Sequence, residues 1–242
     1  MSRSVYIASP EGLSGKSSVA YGLVDLFSRR VGRVGIYRPV IDALEDVDPV
    51  IELLVEHPGV AQSYDEGIKY YKLAAAQGNA NAQFGLGICY QEAQGVAQSY
   101  EEAVKFYKLA AAQGYAAAQF NLACLYKSGQ GVAQSDEEAI KYYKLAAFQG
   151  DSDAQFNLAY CYKNGEGIAQ SDEEAIKYYK LAAAQENAQA QFGLAVCYED
   201  GQGVAQSYEE AFKYYKLAAA QGHAQAQYNV GFCYYNGQGV EQ

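Results

Sequence analysis

A segment reading GVAQSYEEAVKFYKLAAAQGYAAAQFNLACLYKSGQ recurs along this chain with little change, its copies opening every 36 residues at Gly59, Gly95, Gly131, Gly167 and Gly203. Tandem copies of one short unit restrict the fold more than any composition does. Such a unit cannot bury its apolar face alone, so the copies must stack on one another. Five complete units fill 59–238, a sixth opens at 239–242, and residues 1–58 are different in kind.

Within one unit the apolar spacing is helical twice. Ala103, Phe106, Tyr107, Ala110 and Ala111 fall at i, i+3, i+4, i+7 and i+8, which gives a first helix one face to bury. Ser99 followed by Glu102 predicts a capping box at its start, repeated as Ser63/Glu66, Ser135/Glu138, Ser171/Glu174 and Ser207/Glu210. Gly114 ends the helix in a left-handed turn. Acidic residues in the first turn followed by Lys105 and Lys108 suit the helix dipole and i,i+4 pairing. A second helix starts near Ala116, buries Ala118, Leu122, Leu125 and Tyr126, and stops at Gly129. Each unit is therefore a helical hairpin, and the stack is a superhelix with a concave and a convex side. A ring at a packing position, such as Tyr162, is expected to be buried, with its loss costing about 3–5 kcal/mol.

The pattern carried by Ala118, Gln119, Leu122, Tyr126, Gly129, Gly131 and Val132, then Ala139, Tyr142, Tyr143, Ala146, Ala147 and Gly150, resembles the Sel-one-like repeat, a relative of the tetratricopeptide repeat. The resemblance covers about three quarters of the chain and implies a non-enzymatic adaptor between proteins, with no cofactor. Two departures, Ala93 for a loop glycine and Glu186 for a helix-ending glycine, are expected to distort single turns.

In residues 1–58, a strand over Ser4–Ala8, a helix over Val19–Arg30 and a strand over Arg33–Val40 read as a βαβ unit, followed by a bridging helix. Its loop places Gly15, Lys16 and Ser17 at the helix start, where amides, dipole and ammonium suit a phosphate. The full phosphate-loop pattern asks for glycine where Pro10 stands. The segment resembles the beginning of actinobacterial phosphate acetyltransferases, whose N-terminal domain is similar to dethiobiotin synthetase; the catalytic domain of that family has no counterpart downstream. The fold class expected is mainly α: an α-solenoid of helix-turn-helix repeats preceded by a short βαβ phosphate-loop-like fragment.

Charge and residue usage narrow the function. A net charge of −10 without a basic block argues against nucleic acid and anionic lipid. No apolar run reaches the roughly 18 residues of a membrane span. Five cysteines without a secretion signal point to thiols in the cytoplasm. They lack metal-ligand spacing, so no metal site is expected. The two histidines, His57 and His223, sit in unrelated contexts and suggest no catalytic triad.

Comparing the copies with one another isolates positions that vary on a constant scaffold. One carries Asn79, Tyr115, Asp151, Asn187 and His223; a second Gln91, Lys127, Lys163, Glu199 and Tyr235; a third Tyr64, Tyr100, Asp136, Asp172 and Tyr208. Among these, Tyr115, Asp151, Asn187, His223, Lys127, Lys163 and Tyr235 are candidates for reading a protein or peptide partner, drift at unconstrained sites being the alternative. The last unit leaves Val230, Phe232, Tyr234 and Tyr235 near an open edge, where self-association is expected. The leading expectation is a scaffold that holds its partner in the concave groove. The alternative is a phosphate acetyltransferase-derived chain that still binds nucleotide or phosphate at Lys16.

Overall fold

In the computed structural model the backbone is described for residues 58–240 and the side chains for residues 64–240. Among the described residues ten α-helices follow one another: α1 (Pro58–Ala76), α2 (Ala80–Gln91), α3 (Tyr100–Ala112), α4 (Ala116–Ser128), α5 (Asp136–Phe148), α6 (Ser152–Asn164), α7 (Asp172–Ala184), α8 (Ala188–Asp200), α9 (Tyr208–Ala220) and α10 (Ala224–Asn236). Odd and even helices pair into hairpins, and each even helix before α10 also packs against the odd helix of the next hairpin. The described residues contain no strand. The βαβ fragment expected over residues 1–58 lies, Pro58 apart, outside them.

The helix starts are more social than a capping box. Ser99, Ser135, Ser171 and Ser207 each accept the N–H of the glutamate three residues on, at 3.2–3.3 Å. The expected return bond from the glutamate to the serine amide does not form. That amide donates instead to the carbonyl of Tyr90, Tyr126, Tyr162 or Tyr198 in the preceding even helix, at 2.9–3.0 Å. The freed glutamates pair with lysine at i,i+3, as in Glu138–Lys141 at 3.0 Å, and not at the i,i+4 spacing expected. Each odd helix is therefore tied at its first turn to the hairpin before it.

Unit one departs from this scheme. No helix starts at the Ser63/Glu66 pair, because the α1 backbone is already helical from Pro58. Proline suits a first helical position, where a missing N–H breaks no bond, and it lets the helix begin six residues earlier than in the other copies. A second correction concerns Ala93 and Glu186. Both adopt the left-handed conformation of the glycines they replace, at φ 56° and 64°; α2 nevertheless ends one residue earlier than the other even helices, at Gln91, whereas α7 ends at the position shared by the other odd helices.

Alanines let the helices approach while rings fill the gaps between them. Tyr107, Tyr143, Tyr179 and Tyr215 are buried, as are Leu86, Leu122, Leu158 and Leu194 one layer away. Tyr162 is only half-buried, contrary to expectation, because it stacks face to face on Tyr178 at the rim of the seam, with centroids 5.9 Å apart. Four buried glutamines complete the stack. Gln119, for example, donates to the Ala111 carbonyl at 3.2 Å and accepts from Gln149 of the next hairpin at 2.7 Å. Gln83–Gln113, Gln155–Gln185 and Gln191–Gln221 repeat the second contact at 2.7–2.9 Å. A buried amide with both ends satisfied costs little and fixes the register between hairpins.

Candidate protein-binding surface

The first variable row lies at the N-caps of the even helices. Asn79, Asp151 and Asn187 accept an amide through Oδ1 at 2.7–2.9 Å, from Ala82, Ala154 and Ala190. His223 does the same through Nδ1, accepting from Ala226 at 3.2 Å. Tyr115 makes no such bond; its ring packs on Phe84, centroids 4.9 Å apart. These side chains also reach back to the preceding hairpin. Asn187 donates to Asp153 at 2.8 Å, and the His223 ring stacks on Phe192 at 4.6 Å with Nε2 3.1 Å from Gln189.

The second row is turned toward the following hairpin. Gln91 and Glu199 accept from the hydroxyls of the buried Tyr107 and Tyr215, at 3.0 and 2.5 Å. Lys127 bridges Asp136 at 2.9 Å and Glu166 at 2.6 Å. Burial pulls its ammonium pKa down, but the hydrogen bonds to Glu166 and Asp136 more than offset this and hold it above the usual lysine value. Lys163 has no such pair of acids and lies 3.6 Å from the Cys197 sulfur. Tyr235, at the last turn of α10, is almost fully exposed. Apart from Tyr235, then, the structure gives each of the seven candidate residues a task within the stack. Gly15, Lys16 and Ser17 lie outside the described residues.

A surface that the variable positions did not flag runs along the outward face of the odd helices. Leu73, Leu109, Leu145, Leu181 and Leu217 recur at one position there, each about half exposed. Their signal in the sequence was constancy: a leucine kept in every copy although it falls outside the buried i, i+3, i+4 stripe. One turn beyond Leu145 stands Phe148, 91% exposed where the other copies have alanine.

Beside the leucines run lysines set on rings. Lys108 lies 5.3 Å from the Tyr126 centroid, Tyr126 stacks on Tyr142 at 5.8 Å, and Lys141 lies 5.2 Å from Tyr142. The same cation, ring, ring, cation order recurs at Lys144, Tyr162, Tyr178 and Lys177, and at Lys180, Tyr198, Tyr214 and Lys213. Each cation–ring contact contributes about 0.5–1 kcal/mol at an exposed site. Lys141, Lys177 and Lys213 are also paired with glutamates, whereas Lys108, Lys144 and Lys180 have no carboxylate within ion-pair distance among the described residues. The face thus offers apolar side chains flanked by uncompensated positive charge.

Among the described residues, no three His, Cys, Asp or Glu are grouped to hold a metal, and no helix is long and apolar enough to cross a membrane. Cys89, Cys161, Cys197 and Cys233 are buried free thiols, with Cys124 half-buried.

The Sel1 repeat pattern matches residues 56–79, 80–115, 116–151, 152–187, 188–223 and 224–242, and the chain belongs to the Sel1 repeat family. Repeats of this family generally act as protein-interaction scaffolds. The internal family units open at the first residues of α2, α4, α6, α8 and α10, so each internal unit from α2 to α9 couples an even helix to the odd helix that follows it. A Sel1 repeat protein from Oxalobacter formigenes is 32% identical, with a TM-score of 0.70 over 75% of this chain and 74% of its own. A protective antigen of uropathogenic Escherichia coli strains, displaying an SLR fold, is 30% identical with a TM-score of 0.72, over 80% of this chain and 42% of the antigen. A phosphate acetyltransferase of Nitratidesulfovibrio vulgaris is 39% identical over 72 residues, which is 29% of this chain. The chain spans about a tenth of the length of that enzyme.

Proposed function

We propose that this chain is a cytoplasmic scaffold that holds a partner protein on the exposed leucine face of its odd helices, without catalysis or a cofactor. The observation that carries the reading is the leucine row. An apolar side chain retained in every hairpin, yet left about half in water, is only partly used by the core of its own unit, and exposed apolar side chains repeated along one face suit an interaction site. Phe148 supplies a single large anchor on that row, and partner affinity concentrates on aromatic anchors. Lys108, Lys144 and Lys180 suit a partner segment that places carboxylates beside its apolar residues. Five free thiols fit a reducing compartment. The enzymatic alternative draws on the 72-residue likeness and on the Gly15-Lys16-Ser17 loop, and that likeness leaves most of an acetyltransferase unaccounted for.

The test is capture from native lysate with the tagged chain beside a Leu145→Ser/Phe148→Ser variant. Both positions are exposed, so the variant is expected to melt like the parent while losing the captured protein. Equal capture by both would remove the leucine row from the reading.

A further inference from the structure

We propose that α10 of one copy receives α1 of a second copy, so that this chain associates head to tail through the same contact that joins its own hairpins. That contact has three recurring parts, at α2–α3, α4–α5, α6–α7 and α8–α9. A phenylalanine of the even helix meets the buried tyrosine of the odd one, as Phe192 meets Tyr215 at 5.7 Å. A ring at the end of the even helix stacks on the next odd helix, as Tyr198 on Tyr214 at 5.8 Å. A glutamine of the odd helix's C-cap donates to the buried glutamine, as Gln221 to Gln191 at 2.9 Å.

The two outer helices carry the separated halves of this set. On α10, Tyr228 and Tyr234 occupy the two ring positions and are 65% and 60% exposed, and Gln227 donates to Ala219 while its own oxygen accepts from no donor among the described residues. On α1, Tyr71 and Tyr70 are the matching rings, 45% and 69% exposed, while Gln77 donates only to the carbonyl of Leu73 in its own last turn. A seat for the incoming tyrosine is open as well. A Cβ added at Gly231 meets nothing within 4 Å, whereas at Gly87, the same position in α2, it would run into the Tyr107 ring. Continuity with four formed interfaces fixes the occupant as a second copy in register: Tyr71 on Tyr228, Tyr70 on Tyr234, Gln77 donating to Gln227. Because the two surfaces differ, the contact is heterologous and propagates beyond a dimer or closes as a ring.

Sedimentation of the full chain across concentrations, with Tyr70→Asp and Tyr234→Asp variants, tests this. The parent is expected to grow past twice its 26.3 kDa mass. Each variant, checked by its melting curve, loses one surface and weakens association about tenfold or more, since a charge replaces a stacked ring. An equimolar mixture of the two variants regains association, stopping at a dimer, because each retains the surface that the other lacks. Milder Tyr70→Ala and Tyr234→Ala forms serve if an aspartate form unfolds. A parent that stays monomeric at high concentration, a symmetric dimer indifferent to either variant, or a mixture that does not recover would overturn the proposal.

Discussion

The inner and outer hairpins are built from nearly the same residues and yet differ in what those residues do. Tyr107, Tyr143, Tyr179 and Tyr215 are buried, while Tyr71 at the same position of α1 is about half exposed. Gln83, Gln119, Gln155 and Gln191 are buried acceptors between hairpins; Gln227 at the same position of α10 is exposed. The motif therefore does not determine its own burial. Burial comes from the next hairpin, so stability is a sum of unit and neighbour terms, and among the described residues only the neighbour terms are missing at the outer faces of α1 and α10.

Alanine in place of the shared tyrosine breaks this comparison most sharply. Tyr143→Ala opens a cavity between α4 and α5 and is expected to cost about 3–5 kcal/mol, whereas Tyr71→Ala costs about 1 kcal/mol or less. Native-state hydrogen exchange reads both, with α4 to α6 losing protection together in the first case and only α1 and α2 in the second. Equal costs would show that the hairpins do not depend on their neighbours for burial. The glutamine pair gives the next largest contrast. Gln119→Ala leaves the Ala111 carbonyl and the Gln149 amide without their partner, for a loss of about 1–3 kcal/mol, while Gln227→Ala stays within about 0.5 kcal/mol. Denaturant midpoints measured side by side decide it.

What could be read from the chain alone was whatever lies inside one unit. The period, the two helices, the serine caps and the alanine stripe follow from spacing between residues a few positions apart. The contacts that cross units were less legible. Nothing local shows that the Ser99 amide bonds to Tyr90 or that Gln119 accepts from Gln149, since each partner belongs to a different hairpin and is set by the stacking angle. Variation between copies likewise pointed toward Asn187 and Lys127, whose side chains turn out to fasten neighbouring hairpins, and away from the constant leucine row. An exposed leucine and a buried one look alike until the helix face is fixed. The early start of α1 falls at Pro58, a single residue before the repeat boundary, where proline suits a first helical position.

Alkaline pH probes the buried interior by another route. Burial pushes the Cys89 and Cys161 thiols from 9.0 up to about 11, and it also holds the Tyr107, Tyr143, Tyr179 and Tyr215 phenols above the usual tyrosine value. These groups are neutral when protonated, and their pKa is higher in the folded state. Their contribution is complete below the unfolded thiol value and is lost as pH rises toward the folded one, because the unfolded chain releases protons first. The melting temperature is expected to fall by several degrees between about pH 8 and about pH 10.5, and to fall less in a Cys89→Ala/Cys161→Ala variant. A flat profile would contradict the burial of those sulfurs.

The smallest effect sharpens the comparison at the turns. Glu186 holds φ at 64° where the other hairpins have Gly78, Gly114, Gly150 and Gly222 at 85–94°. A side chain in that region costs about 1–2 kcal/mol, and the freedom glycine brings to the unfolded chain returns about 0.5–1 of it. Glu186→Gly is therefore expected to stabilise by about 0.5–1 kcal/mol. Ala93→Gly, which relieves the same kind of strain between α2 and α3, should do likewise. The two sites differ in position along the stack, so their agreement would show a turn-level effect independent of neighbours, in contrast to the tyrosine and glutamine pairs. A raised denaturant midpoint with an unchanged slope is the expected reading; a lowered midpoint in either variant would mean that the side chain, and not its backbone angle, holds that turn.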